Sequence, residues 1–172
     1  MPTNIEIKAQ VHNFSKLKDL AQSLSTSPEK LILQKDIFFN VSQGRLKLRI
    51  FDDTAGELIY YERSNQAGPK QSNYSITPTT DPLALKTTLD LALKTLGTVK
   101  KKRLLYMVNQ TRIHLDQVEG LGDFMELEVV MQDEQSMQDG ETTAKDLMQK
   151  LEINEKDLID RAYLDLLLEK NP

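Results

Sequence analysis

Polar and apolar positions alternate with a period of two along much of this chain, the mark of strands with two unlike faces. The clearest run is Arg45-Leu46-Lys47-Leu48-Arg49-Ile50, which sets Arg45, Lys47 and Arg49 against Leu46, Leu48 and Ile50. At roughly 3.3 Å per residue, successive cations stand about 6–7 Å apart along one face. No acid lies on that face to relieve the repulsion. Similar alternation predicts strands over residues 3–11, 31–41, 57–63, 73–77, 99–109, 111–118 and 124–131, with turns at 42–44, 52–56 and 119–123. The stretch 64–71 holds Gly68-Pro69 and is read as a loop.

A helical period takes over in four places. One helix starts at Asn13 or Ser15 and carries Phe14, Leu17, Leu20, Ala21 and Leu24 on a stripe. A second has Asp81 as N-cap, Pro82 at its first position, an apolar face of Leu85, Leu89, Ala92, Leu93 and Leu96, and Gly97 as its stop. Two more close the chain, over 141–151 and 155–169, with Asn154 capping the last. The pattern gives about eight mostly antiparallel strands and four helices, in one domain spanning 1–172. Each helix needs an apolar partner, and the aliphatic sheet faces supply it. The charged faces then gather on the inside of a curved or closed sheet. The fold class is α+β: an antiparallel β-barrel with a polar, charged interior and flanking helices.

Composition narrows the function. The net charge is −4 over 172 residues, so the cationic strands form a local site rather than a coat for DNA. There is no cysteine, which excludes disulfides, a thiolate nucleophile and cysteine-bound zinc, and two histidines do not make a histidine-rich metal site. No apolar run approaches the roughly 20 residues that span a bilayer, and the N-terminus lacks the apolar core of a signal peptide. The expectation is a cytoplasmic protein that engages neither DNA nor membrane.

The interior so defined holds the cations Lys8, Arg45, Lys47, Arg49, Arg63, Lys101, Arg103 and Arg112, and the acids Glu6, Asp116, Glu126 and Glu128. Crowded cations need an anion, and phosphate oxygens suit Arg and Lys. Carboxylates from two strands, with phosphate and water, suit Mg²⁺ or Mn²⁺. A polyphosphate with a divalent cation satisfies both halves. His114 reads as a polar filler, His12 as a surface residue, and Phe38, Tyr60 and Tyr61 as packing residues.

Asn4-Ile5-Glu6-Ile7-Lys8 resembles the ExExK signature of the CYTH superfamily, the triphosphate tunnel metalloenzymes, which includes class IV adenylyl cyclases and thiamine triphosphatases. The resemblance extends through Lys35-Asp36-Ile37-Phe38, Arg45-Leu46-Lys47-Leu48-Arg49, Tyr61-Glu62-Arg63, Lys101-Lys102-Arg103 and Gly120-Leu121-Gly122-Asp123-Phe124-Met125-Glu126-Leu127-Glu128. It implies an eight-stranded antiparallel tunnel whose basic wall binds a triphosphate-containing small molecule. The eight cations named above are then substrate-binding candidates. Glu6, Glu126 and Glu128 are metal candidates for Mg²⁺ or Mn²⁺, and Lys8, Asp116 and Glu128 are catalytic candidates. Asn4 departs from the signature, where its first Glu stands; a neutral amide is a weaker ligand and bears on whether one or two ions bind.

Three functions fit these residues. The first is a metal-dependent triphosphatase in which water attacks the terminal phosphorus, oriented by Asp116 or Glu128. The second is a class IV adenylyl cyclase, in which the ribose 3′-hydroxyl of ATP attacks the α-phosphorus and expels pyrophosphate. The third is a binding module for polyphosphate or 5′-triphosphate RNA without turnover; the retained acids argue against it. The long apolar last helix either packs on the barrel or meets a second subunit in a homodimer.

Overall fold

The computed structural model describes residues 1–171. Eight strands close into one antiparallel barrel in the order β1-β5-β4-β3-β2-β6-β7-β8. They are β1 (Thr3–Gln10), β2 (Lys30–Phe39), β3 (Arg45–Asp52), β4 (Ala55–Arg63), β5 (Lys70–Thr79), β6 (Thr95–Val108), β7 (Thr111–Val118) and β8 (Gly122–Val130). The helices are α1 (Phe14–Leu24), α2 (Pro82–Leu93), α3 (Met137–Lys150) and α4 (Tyr163–Lys170), with a 3-10 turn at Glu155–Asp157. No helix among the described residues is long and apolar enough to cross a membrane.

The aliphatic strand faces point outward and the helices cover them, as the patterning requires. Leu17 and Ala21 of α1 and Leu147 and Met148 of α3 pack on Ile7, Ile113, Leu115 and Leu127. Leu85, Leu89 and Leu93 of α2 pack on Ile37, Phe39, Leu48 and Ile50. With both apolar layers outside, the charged faces have only the barrel interior to occupy. Closure also leaves the barrel without an unpaired edge.

Four sequence expectations are corrected. The strand expected over 73–77 is longer: β5 starts at Lys70, paired with Glu6, and its hydrophilic sequence hid it. The second helix ends at Leu93, not at Gly97, because Asp90 Oδ1 accepts from Thr95 N and Oγ1 at 3.0 and 2.7 Å and turns the chain into β6. Gly97 lies within β6, where Leu164 Cδ1 sits 2.5 Å from the place a Cβ would take. α3 starts four residues earlier than 141, at Met137, capped by Ser136. The last helix is broken. After the 3-10 turn, Leu158 bridges to Ala9 and Ile159 N donates to Lys8 O at 2.9 Å, so this stretch pairs with the end of β1 that β5 does not reach. The helix restarts only at Tyr163, where Asp165 accepts from Ala162 N at 3.2 Å.

Candidate active site

The inward faces enclose a cavity of about 630 Å³. Eight Lys and Arg side chains line it against five Asp and Glu, so the lumen carries positive surplus inside an acidic chain. Seven of the eight predicted cations are there: Lys8, Lys47, Arg49, Arg63, Lys101, Arg103 and Arg112. The eighth, Arg45, is not in the lining; its Nη2 donates to Asp165 of α4 at 3.0 Å. Glu6, Glu126 and Glu128 also face the lumen. Asp116 stands behind it, fully buried, and accepts from Arg103 Nε and Nη2 at 2.7 and 2.8 Å and from Tyr163 Oη at 2.8 Å.

Register explains the groupings. On one wall Lys8, Glu126 and His114 are cross-strand neighbours, as are Glu6, Glu128 and Arg112. His114, Glu126 and Glu128 offer ligand atoms within 4.8 Å of one another. β3, with Lys47 and Arg49, lies four strands away in the ring of eight and therefore on the opposite wall. There Asp36, on the neighbouring strand, gathers the cations: Lys47 Nζ at 3.0 Å, Arg49 Nε and Nη2 at 2.8 and 2.9 Å, and Lys101 Nζ at 3.6 Å.

These side chains strongly perturb one another. Burial works against the charge on Asp36, but Arg49, Lys47 and Lys101 outweigh it and hold the carboxyl well below its usual range. Burial likewise opposes Glu126, and Lys8 and Arg103 hold it well below. Glu128 lies at about 2 because His114, Arg112 and Arg103 outweigh burial. Burial, followed by the Glu128 and Glu126 charges, pushes Glu6 up to about 7. Burial lowers Lys8 to about 8 and Lys47 to about 7. His114 falls to about 4, through burial and then Arg103, so its imidazole is neutral at physiological pH.

A divalent cation fits this donor set. A neutral imidazole and two ionised carboxylates are all competent ligands. His114 Nδ1 is buried with no hydrogen-bond partner, and so is Asn4 Oδ1 on the same wall. Glu6 stands beside the cluster, with Oε1 at 3.5 Å from Arg63 Nη1. On Arg63, Nε and Nη2 are buried and unpartnered, which is costly unless an acceptor enters the lumen.

Four residues of this neighbourhood escaped the sequence reading. His114 shares the alternating face of Arg112 and Asp116, so its inward direction was legible; its donor role was not. Asp36 follows the same parity on β2 as Gln34 and Phe38. Lys70, buried, donates to Gln66 O and Ile159 O at 3.1 and 3.4 Å, from a stretch read as loop. Tyr163 left no signal, because its place depends on the helix break before it.

A closed eight-stranded antiparallel barrel with a basic lumen and an acidic cluster on one wall defines a triphosphate tunnel protein. The comparisons agree. The CYTH domain pattern matches residues 2–163, and the chain belongs to this family. A Methanocaldococcus jannaschii protein named as a candidate adenylate cyclase is 25% identical, over 94% of this chain and 97% of its own. The structure of the PH1012 protein of Pyrococcus horikoshii superposes with a TM-score of 0.83 at 25% identity, covering 95% of this chain and 99% of that one. A Hippeastrum protein described as having a dominant triphosphatase activity shares the fold, with a TM-score of 0.69 at 14% identity, covering 100% and 97%.

Proposed function

We propose that this chain, working as one domain over 1–172, is a divalent-metal-dependent triphosphatase that hydrolyses the terminal phosphoanhydride bond of a triphosphate-containing small molecule. The observation that carries the reading is the opposition, across one lumen, of the Lys47–Arg49 wall and the His114–Glu126–Glu128 cluster. A triphosphate stretched between them meets cations along its length and a metal-competent donor set at its side.

Lys8, Lys47, Arg49, Arg63, Lys101, Arg103 and Arg112 bind the phosphate oxygens, and Arg45 braces the closed end through Asp165. His114, Glu126 and Glu128, with Glu6 beside them, hold Mg²⁺ or Mn²⁺. A cation held by these residues would polarise the phosphoryl group and offset the charge that builds on it. Glu128 accepts a hydrogen bond from the attacking water. The water oxygen bonds to the terminal phosphorus as the bridging P–O bond breaks, the bridging oxygen departs with the diphosphate portion, a water proton passes to an oxygen of the new orthophosphate, and Lys8, protonated at neutral pH, donates a hydrogen bond to the leaving diphosphate. Asp116 acts through Arg103, which it holds in one rotamer, and is a positioning residue. The reaction needs neither DNA nor membrane, and a cytoplasmic setting accords with such a substrate.

The test is phosphate release from triphosphate substrates with Mg²⁺, with Mn²⁺ and with a chelator. The proposal expects metal-dependent release that Glu126→Gln abolishes in a folded protein. Cyclic AMP and pyrophosphate from ATP would replace it with the cyclase reading that the Methanocaldococcus relative's name suggests. Normal turnover by Glu126→Gln would remove the metal site from the wall named here.

A further inference from the structure

One sector of the barrel's outer surface is left bare. α1 and α3 cover the outward side chains Ile7, Ile113, Leu115 and Leu127, and α2 covers Ile37, Phe39 and Leu48. Outside these patches a cleft of about 620 Å³ runs across β2, β3, β6, β7 and β8, and no helix residue lines it. Its lysines point away from the lumen. Lys35 alternates on β2 with Gln34 and Asp36, and Lys100 and Lys102 alternate on β6 with Val99, Lys101 and Arg103, all of which line the inner cavity.

Two registered rows cross the cleft. In the first, Lys35 pairs with Lys100, and Glu119 N donates to Lys100 O at 2.9 Å. In the second, Leu33 pairs with Lys102, Lys102 with Gln117, and Gln117 with Asp123. The cleft is therefore cationic on β2 and β6 and acidic at the turn between β7 and β8. Lys35 opposite Lys100 is a like-charge pair, which is destabilising until an acid answers it. Among the described residues, none of Lys35, Lys100, Lys102, Glu119 and Asp123 makes an ion pair. Leu33 stands beside them 56% exposed, and Leu31, next on the same face of β2, is 59% exposed.

This layout selects its occupant. A uniformly acidic partner would meet the lysines but be repelled by Glu119 and Asp123, and a basic one the reverse. Both halves are satisfied by a surface that carries the same two signs in reverse order. A second copy of the chain, turned about a two-fold axis, presents such a surface. We propose that this cleft is the interface of a homodimer, with the axis standing between β6 and β7. Lys35, Lys100 and Lys102 of each copy then meet Glu119 and Asp123 of the other, and association covers Leu33. The inference is independent of the reaction proposed above.

Sedimentation velocity of the purified chain up to about 100 µM tests it, a range that reaches the micromolar end of specific interfaces. Three proteins are compared: the wild type, Lys100→Glu/Lys102→Glu and Glu119→Lys/Asp123→Lys. All four positions lie on the outer surface, and circular dichroism checks the fold. The wild type should sediment at twice the chain mass. Each variant alone sets like charges across the axis and should weaken self-association by about tenfold or more. Mixed one to one, the two variants should associate again, because each brings the sign the other lacks. Added salt should weaken the wild-type dimer, a readout that needs no variant. A wild type that stays monomeric leaves the face to a different protein and overturns the proposal. So does a dimer that survives either variant or is indifferent to salt, as one held through α4 would be. A mixture of the two variants that stays monomeric overturns it as well.

Discussion

Asp116→Asn is the substitution whose cost the structure specifies most fully. The carboxylate is fully buried, takes two hydrogen bonds from the buried Arg103 guanidinium and one from Tyr163, and has no water-facing oxygen. Burial opposes its charge, but Arg103 outweighs burial and keeps its pKa below the ordinary value. The amide keeps the shape, loses the charge and turns an NH₂ donor toward another donor. Removing one partner of a buried pair costs about 3–5 kcal/mol. The nearest alternative acid for Arg103 is Glu126, 3.6 Å from its Nη2, and that partial rescue places the loss near about 3 kcal/mol. For a chain of this size each kcal/mol moves Tm by about 2–4 °C, so a fall of about 6–12 °C is expected. Urea unfolding should give the same free energy with an unchanged slope. Arg103 drawn onto Glu126 should also weaken metal binding, a consequence that mere loss of packing would not produce. A variant within 1 kcal/mol of wild type would refute the claim that this buried pair braces the basic wall.

Glu6→Gln tests the crowding of acids. A carboxyl raised from 4.5 to about 7 favours the fold when protonated, so that stability is present below about 4.5 and lost as pH rises through about 7. The stability of metal-free wild type relative to Glu6→Gln should therefore fall by up to about 3 kcal/mol between those limits, while His114, lowered from 6.5 to about 4, raises the stability of both proteins as pH rises through that window; parallel pH profiles by chemical unfolding would contradict this. His114→Ala should weaken Mn²⁺ binding by about tenfold or more and Mg²⁺ binding less, since a nitrogen donor suits manganese better. Calorimetric titration without substrate checks it, and two unchanged affinities would remove His114 from the donor set. Arg63→Ala should move stability and binding in opposite directions. It should stabilise the unliganded protein by about 1–3 kcal/mol by removing unpartnered buried donors, while weakening triphosphate binding at least tenfold. Loss of stability in the unliganded variant would show that Arg63 is already satisfied.

How much of this was legible in the sequence follows from what each feature depends on. The inward faces were, because a period of two on β3, β7 and β8 fixes which side chains share a wall once the helices claim the other face. The opposition of β3 and β8 depends on the ring order, in which β1 pairs with β5, and the alternation along each strand does not set that order. What escaped were features set by tertiary context. Residues 73–77 of β5 read as a short strand, but its start at Lys70 reads as loop because its outward face is also hydrophilic, and pairing with β1 and β4 extends the strand. Residues 155–169 carry a helical pattern, yet at Leu158 and Ile159 the backbone joins β1 and breaks the helix, and this puts Tyr163 under Lys8. Asp36 carries no signal of its role in the sequence, because it orders Lys47 and Arg49 from a neighbouring strand and stands away from the metal-competent acids.

The central claim is that water attacks the terminal phosphorus of a triphosphate held in the lumen. Turnover of ATP in water enriched in the heavy oxygen isotope, with Mn²⁺ and followed by phosphorus NMR, tests it directly. The account predicts that the label enters the released orthophosphate and leaves the nucleoside diphosphate unlabelled. Label in the nucleotide product, or an unlabelled cyclic nucleotide with pyrophosphate, would contradict it.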